Sequence, residues 1–335
     1  MAIKRLLAPV PEVPAAIPRS QSWRGRTLGG AAFFRFCLAG LPIAGARGTW
    51  LLAWIIAAVF MLLGGRRQFG MLSWWRRLRP RAGTIVHWLL AYRQFASFGR
   101  IMCDRFLALQ RPDDYVIELS GIDGMRAIRS CRQGCIMLSA HVGNWEMSSY
   151  WLHTIAGDIG RVHVVMVRDD VAFVQKIADK NLRGDFTHVI DPRDGIGASL
   201  AINAALTAGD MVCMLGDRVM GNQPAIEVDF MGSRVRFPSG PFHAAMMTGA
   251  PILVGFLVKT GMRRYLVHVD APWYVRLPTK RADRAAVMHA AVQRWAKRLE
   301  LQARRYPQQW HNFYDFLGEG IQRRGGKEHS STPAQ

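Results

Sequence analysis

Short apolar runs alternate with stretches of helical spacing after residue 130, and this alternation constrains the fold more than any other feature of the sequence. The apolar runs are CIMLSA (135–140), VHVVMV (162–167), THVI (187–190), MVCML (211–215), PILVGFLV (251–258) and YLVHVDA (265–271), and the helix-like stretches are 144–156, 171–182, 196–208 and 241–248. Strands that alternate with helices pack as helices on a sheet. We therefore predict an α/β fold with a mixed, largely parallel central sheet flanked by helices.

An uncharged segment near the N-terminus indicates contact with a membrane. Between Arg47 and Arg66 the sequence reads GTWLLAWIIAAVFMLLGG, which as a helix would span about 27 Å, the short end of what a bilayer core needs. The arginines that follow are interleaved with Trp74 and Trp75, a combination favoured at an anionic interface. We predict membrane attachment by a spanning or a one-leaflet helix, with a buried helix pair as the alternative.

Composition and spacing divide the chain into four segments. Residues 1–25 are a Pro-rich, flexible lead, and 26–82 are the membrane-associated helical segment. Residues 83–320 form the α/β domain, which opens with a helix over about 84–112, and 321–335 are a disordered tail.

The charge of the chain predicts anionic partners. The formal net charge is +20, from 44 Lys and Arg against 24 Asp and Glu, which favours an anionic membrane surface or an acidic protein. A nucleic acid is not expected, because the basic residues accompany apolar segments and no stacked-aromatic RNA motif is present. A non-enzymatic, basic membrane-binding protein remains an alternative.

Neither a metal nor a cofactor is expected. The five cysteines are scattered and predicted to be reduced, and Cys131 and Cys135 form a lone pair without further ligands nearby. The sequence has no H-E-x-x-H spacing and no Gly-rich phosphate loop.

The last helix, about 281–305, has one apolar stripe and several basic faces. The stripe consists of Ala285, Met288, Val292, Trp295 and Leu299. The basic residues on its other faces are Arg281, Arg284, Arg294, Lys297, Arg298, Arg304 and Arg305. A solvated surface and a docking surface for an acidic partner both fit this pattern.

His141 and Glu146 in HVGNWE are the candidate catalytic residues. His141 follows a strand-like run, Gly143 permits a tight turn, and Asn144 can cap a helix that begins at Trp145. Binding sites of α/β proteins lie at the carboxyl ends of strands. Glu146 would accept from Nδ1–H of His141 and make Nε2 a better base. A structural histidine bonded to backbone is the alternative.

Absent motifs narrow the chemistry of this pair. No G-x-S-x-G elbow is present, and FPSGP around Ser239 does not fit it. A His–Glu pair without a protein nucleophile suggests direct activation of a substrate hydroxyl, which beside a membrane segment would belong to a lipid. A lipid or thioester hydrolase that activates water with the same pair is a further alternative.

HVGNWE resembles the H-x4-D/E motif of the lysophospholipid acyltransferase-like superfamily, and most closely its branch of lipid A biosynthesis late acyltransferases (lauroyl and myristoyl transferases). The resemblance runs from about Trp23 to Leu317 and includes LTAGDMVCMLGDRVMG, VDFMGSRVRFPSGPFHAAMMTGAPILVGF and RYPQQWHNFYDF. It implies transfer of an acyl group from acyl-acyl carrier protein to a hydroxyl of a membrane glycolipid or related lipid. The implied location is the inner membrane, with the catalytic domain on the cytoplasmic side.

The resemblance also assigns roles to residues. His141 would be the general base and Glu146 its orienting carboxylate, while Asp217 would be a structural or substrate-positioning acid. Arg168 and Arg183 are candidates to steady the donor phosphate or the oxyanion, and Arg218 is a further substrate-binding candidate. GDRVMG, WHNFYDF and FPSGP depart from the family's usual sequences, which indicates a side branch with a different acceptor.

Overall fold

The structure, a computed structural model, describes residues 31–63, 66–145, 147, 161–167, 187–314 and 316–317. Its helices are α1 (Ala31–Leu63), α2 (Arg66–Leu78), α3 (Thr84–Gln110), α4 (Asp123–Ser130), α5 (Ile196–Thr207), α6 (Gly240–Thr248) and α7 (Arg284–Arg305). Its strands are β1 (Val116–Ser120), β2 (Cys135–Ser139), β3 (Val162–Val165), β4 (Thr187–Ile190), β5 (Met211–Leu215), β6 (Ala225–Phe230), β7 (Ser233–Pro238), β8 (Ile252–Gly261) and β9 (Arg264–Val269).

Seven of the described strands form one sheet in the order β1-β9-β8-β2-β5-β3-β4. All neighbouring pairs are parallel except β8 and β9, which run antiparallel. The central strands β2 and β8 are buried on both faces, as parallel strands covered by helices usually are. The prediction of a mixed, largely parallel sheet flanked by helices is confirmed.

The structure adds two elements that the sequence reasoning missed. Strand β1 lies at the sheet edge, and its residues are partly or largely exposed. Its sequence, VIELS, can therefore include polar residues and lacks the continuous apolar run by which the other strands were predicted. Strands β6 and β7 form a separate antiparallel hairpin whose turn has positive φ at Met231 and Gly232. Apolar and charged residues alternate in β6 and β7, which is typical of a half-buried hairpin.

The predicted elements otherwise hold within the described residues. Helices α5 and α6 coincide with the predicted stretches 196–208 and 241–248. The stripe on α7 is buried at Met288, Val292, Trp295 and Leu299 but exposed at Ala285. Most of the predicted helix 144–156 and all of 171–182 lie outside the described residues, as do the predicted lead and tail.

Trp74 and Trp75 are not at a lipid interface, which corrects our interpretation of them. Both rings are buried, and they belong to the same hydrophobic cluster as the central sheet. The indole of Trp75 donates to Oε1 of Gln94 at 2.8 Å, and that of Trp74 donates to the carbonyl of Pro307 at 3.1 Å. A buried indole N–H needs such a partner, and both are satisfied by protein.

Within the described residues, no helix is both long enough and apolar enough to cross a membrane. Helix α1 leaves helical geometry at Gly45, where φ is +61°. Beyond that break, large apolar residues are exposed at Leu51, Ile55, Val59 and Leu62. Their spacing of 4, 4 and 3 residues places them along one side of the helix, and we call this set the α1 stripe.

Candidate active site

Two adjacent parallel strands bring His141 and Asp217 together. Strands β2 and β5 pair in register, with Ser139 opposite Leu215 at their carboxyl ends. His141 and Asp217 each follow two residues after that last pair, so both side chains emerge at the same level of the sheet. Nδ1 of His141 lies 2.8 Å from Oδ1 of Asp217.

Asp217 is fully buried and receives two further hydrogen bonds. The backbone N–H of His141 donates to Oδ2 at 3.1 Å, and the indole of Trp310 donates to the same oxygen at 3.3 Å. Three bonds fix both carboxylate oxygens, so the imidazole is held in one orientation. With Nδ1 facing a carboxylate, the proton of the neutral ring lies on Nδ1 and Nε2 is the basic nitrogen.

The turn after His141 is held by backbone hydrogen bonds to two other segments of the chain. Gly143 has a φ of +68°, which favours glycine. A Cβ at this position would also clash with the carbonyl oxygen of Leu257. The N–H of Gly143 donates to Gln309 and that of Asn144 to Leu257, both at 2.8 Å. Asn144 also caps the helix start predicted at Trp145, since its side-chain oxygen accepts from the N–H of Met147.

The electrostatics favour a neutral His141 beside an ionised Asp217. Burial, together with the charge of Arg218, lowers the pKa of His141, and the opposing effect of Asp217 does not outweigh them. Burial alone would raise the pKa of Asp217, but its charge interaction and hydrogen bonds with His141, aided by Arg218, lower it to about 2. An imidazole that is neutral at pH 7 can accept a proton. Its side chain is 21% exposed, so the ring is not sealed inside the core.

Asp217 therefore contacts the nitrogen that we had paired with Glu146. Glu146, Arg168 and Arg183 lie outside the described residues, and their roles stay predictions. Arg218 lies directly after Asp217 and donates to the carbonyl of His311 at 2.6 Å. The signal that could have found the pair is the match between CIMLSAH and MVCMLGD, each an apolar strand followed two residues later by a polar side chain.

His311 is a further residue of this region that the sequence reasoning did not single out. Its N–H donates to the carbonyl of His141 at 2.8 Å, while its ring packs against Phe98 and Phe313. The ring is buried, and neither nitrogen makes a hydrogen bond of good geometry with the described residues. Burial, with the charges of His141 and Arg218, lowers the pKa of His311 to about 3. Its position within WHNFYDF, among four aromatic residues, was the available signal.

No group of three or more metal-ligating side chains occurs among the residues that the structure describes. A second His–Asp pair exists at the opposite end of the sheet, where Nε2 of His163 lies 2.9 Å from Oδ2 of Asp210. His163 is near the start of β3, and Asp210 directly precedes β5. This pair lies at the amino ends of its strands, away from the edge where sites of α/β sheets form.

The sequence is similar to acyltransferases of mycobacteria. Two curated relatives are named phosphatidylinositol mannoside acyltransferase: one from Mycobacterium tuberculosis strain H37Rv (26% identity over 215 residues) and one from Mycolicibacterium smegmatis (23% over 211). The matches cover 61% and 58% of this chain, and the chain spans 60% of the length of each relative.

A solved structure, the 1-acyl-sn-glycerophosphate acyltransferase PlsC from Thermotoga maritima, aligns with 76% of this chain and 97% of its own. The identity is 13% and the TM-score 0.35, too low to establish a common fold. The family described as bacterial lipid A biosynthesis acyltransferase matches residues 89–316, well over half of the sequence and including both His141 and Asp217. The chain therefore belongs to the bacterial lipid A biosynthesis acyltransferase family.

Proposed function

We propose that this protein transfers a fatty acyl group to a hydroxyl of a membrane glycolipid, with His141 as the general base and Asp217 as its orienting carboxylate. The observation that carries the proposal is the 2.8 Å contact between Nδ1 of His141 and the buried Asp217. It leaves Nε2 as the proton acceptor on a partly exposed ring. Family membership supports acyl transfer in lipid synthesis, and the names of the mycobacterial relatives support a glycolipid acceptor.

The reaction proceeds without an acyl-enzyme. Nε2 of His141 takes the proton of the acceptor hydroxyl as its oxygen attacks the carbonyl carbon of an acyl thioester. The carbon–sulfur bond then breaks, and the imidazolium returns the proton to the leaving thiolate. Asp217 stabilises the imidazolium formed in between, and the Arg218 guanidinium contributes positive charge near the oxyanion.

Acyl-acyl carrier protein is the proposed donor, because the exposed side of α7 is basic. Arg281, Arg284 and Lys297 are exposed there, and carrier docking would use such charges. Other basic residues of this helix are already paired: Arg298 with Asp270 and Arg304 with Glu300. The docking surface is therefore smaller than the sequence alone indicates.

The N-terminal helices are proposed to lie on the cytoplasmic face of the inner membrane. The α1 stripe and the exposed Ile85, Val86 and Leu89 of α3 form apolar surface on two helices that pack together. Exposed apolar surface of this kind marks an interaction site. Arg79 and Arg81 are exposed directly before α3, and this charge suits anionic lipid headgroups better than a neutral protein partner.

Acyl transfer by the purified protein tests the function. With acyl-acyl carrier protein as donor and glycolipid acceptors, we expect the acylated lipid as product and the free fatty acid only in traces. His141→Ala is expected to lower kcat/KM by about 10²–10⁴-fold through loss of the base. His163→Ala, which removes the histidine of the His163–Asp210 pair, is the matched control. Retained activity in His141→Ala, or steady fatty acid release without acceptor, would refute the proposal.

A further inference from the structure

A cavity of about 340 Å³ lies beside the candidate active site, and its polar lining is positively charged. Its walls include Trp50 of α1, Arg100 of α3, Lys259 of β8 and Arg305 at the end of α7. No Asp or Glu is among the described residues that line it. Its size falls within the range of small-molecule sites.

One carboxylate behind the wall offsets part of this charge. Asp104 forms a buried ion pair with Lys259 and also accepts hydrogen bonds from Tyr115 and Tyr265. Burial lowers the pKa of the Arg100 guanidinium, and the charge of the nearby Asp104, which raises this pKa, does not outweigh the effect. Arg100 and Lys259 therefore share one carboxylate, and Arg305 adds a further positive charge to the cavity lining.

Packing explains part of the arrangement but, within the described part of the chain, leaves the charge of Arg305 unpaired, although its guanidinium lies 5.6 Å from the centroid of the Tyr306 ring. The guanidinium of Arg100 stacks over Trp50 and Trp54, at 4.4 and 5.3 Å from the ring centroids, and Lys259 satisfies Asp104. Arg305 is exposed and forms no ion pair among the described residues, whereas its neighbour Arg304 is paired with Glu300. Both arginines stand in the last turn of α7 and interact alike with the helix dipole. Only Arg305 lines the cavity.

The surroundings of the cavity favour a lipid over a free ion. Trp50 is followed directly by Leu51, the first residue of the α1 stripe. Successive helical residues lie about 100° apart, so the α1 stripe is on the helix face next to the one that lines the cavity. That face offers exposed apolar surface to the chains of a molecule whose anionic group lies among Arg100, Lys259 and Arg305. Arginine and tryptophan together are typical of the headgroup level of a membrane.

We propose that this cavity binds the phosphate of an anionic lipid headgroup, whose acyl chains lie along the α1 stripe. The site is next to the turn that carries His141, since the carbonyl of Gln309 in its wall accepts from the N–H of Gly143 at 2.8 Å. The bound lipid would place the protein on the membrane with its candidate active site close to the surface. The proposal does not depend on the chemistry of His141.

Vesicle binding by the full chain tests this site. The probes are phosphatidylcholine vesicles with and without phosphatidate, and binding is measured by co-sedimentation. Arg305→Gln is expected to weaken binding to phosphatidate vesicles about fivefold, the usual contribution of one basic residue near an anionic membrane. Arg304→Gln removes the same charge from the same helical turn, and we expect it to change binding less than Arg305→Gln does. Neither substitution should affect binding to pure phosphatidylcholine.

Further outcomes separate the competing explanations. Equal losses in Arg304→Gln and Arg305→Gln would show diffuse surface charge and overturn the proposal, as would no loss in either. Unchanged phosphatidate binding with weakened carrier-protein binding in Arg305→Gln would assign Arg305 to carrier docking instead. Inorganic phosphate and a short-chain, water-soluble phosphatidate are compared as competitors of vesicle binding. Equal competition by the two would show a free-phosphate site and contradict the lipid assignment. Arg305→Lys should recover most of the binding, and melting temperatures check that each variant is folded.

Discussion

The environment of single residues decides the chemistry of this site. His141 and His311 are joined through backbone, yet only His141 has a carboxylate at its ring. Asp217 orients the imidazole of His141. The imidazole of His311 packs among aromatic rings instead and makes no hydrogen bond of good geometry with the described residues. The two histidines are therefore in different environments: Nε2 of the first is free to accept a proton, and the second is a neutral, buried ring.

The neutral state of His311 predicts a dependence of stability on pH. The pKa of His311 is about 3 in the fold, below its ordinary value of 6.5, so the unfolded chain binds more protons than the folded chain between these pH values. Above pH 6.5, His311 is neutral in both states and makes its full contribution to the free energy of unfolding. This contribution is lost as the pH falls toward 3, and the loss reaches about 2 kcal/mol at pH 5. In His311→Phe, the free energy of unfolding should therefore fall less between pH 7 and pH 5.

Chemical denaturation at the two pH values measures this difference. His289→Phe, at an exposed position of α7, is the control and should behave like the parent chain. An equal loss of stability in the parent and in His311→Phe would show that His311 is not held neutral.

At the scale of elements, the site depends on the register of β2 and β5 and on the turn after β2. The strands themselves were predictable, because CIMLS and MVCML are continuous apolar runs. Their adjacency was not, since 71 residues separate the end of β2 (residue 139) from the start of β5 (residue 211) and no local rule pairs them. The sequence therefore indicated His141 and the turn, while its pairing with Asp217 required the sheet order.

The same limit explains the other differences. The aromatic and arginine residues of α2 fit an interfacial pattern, and only tertiary packing shows that Trp74 and Trp75 face the core. The fold class followed from alternation that is local in sequence. Residues brought together from α3, β8 and α7, such as those of the basic cavity, leave no local signal.

The turn after β2 gives a prediction about Gly143. Gly143→Ala should destabilise the protein by more than the cost of a left-handed backbone, about 1–2 kcal/mol, because the new Cβ meets the carbonyl of Leu257. It should also lower activity by displacing His141. Gly232→Ala is the matched control: its φ is also positive, at +75°, but no atom lies near the added Cβ.

Denaturation and acyl-transfer rates measured on both variants check this. Gly232→Ala should be destabilised only by the cost of the left-handed backbone, and its activity should be unchanged. Equal destabilisation of the two variants would contradict the contact between the turn and β8.

At the scale of the whole molecule, the candidate active site, the basic cavity and the apolar helices are arranged around one region. The segment 306–311, which follows α7, connects them: Trp310 bonds Asp217, Gln309 bonds Gly143 and lines the cavity, and Pro307 accepts from Trp74. The candidate active site, the cavity and α2 are therefore all in contact with one short segment of the chain.

Apolar attachment predicts vesicle binding that resists salt. Leu51→Ser combined with Ile55→Ser should release the protein from vesicles at high ionic strength, where exposed charges are screened. Ile196→Ser combined with Leu200→Ser removes an even more exposed i, i+4 pair from α5 and should leave binding unchanged. Flotation of both double variants with vesicles measures the effect, and equal binding of the two would contradict attachment through the α1 stripe.

The rate of acyl transfer by Asp217→Asn is the most direct test of the proposed pair. An amide of the same shape keeps the packing but cannot stabilise the imidazolium, so we predict a fall in kcat/KM of about 10²-fold or more. Asp210→Asn makes the same change in the His163 pair and should stay near the parent rate. Near-parental activity in Asp217→Asn, or an equal loss in both variants, would contradict the assignment of His141 and Asp217 as the catalytic pair.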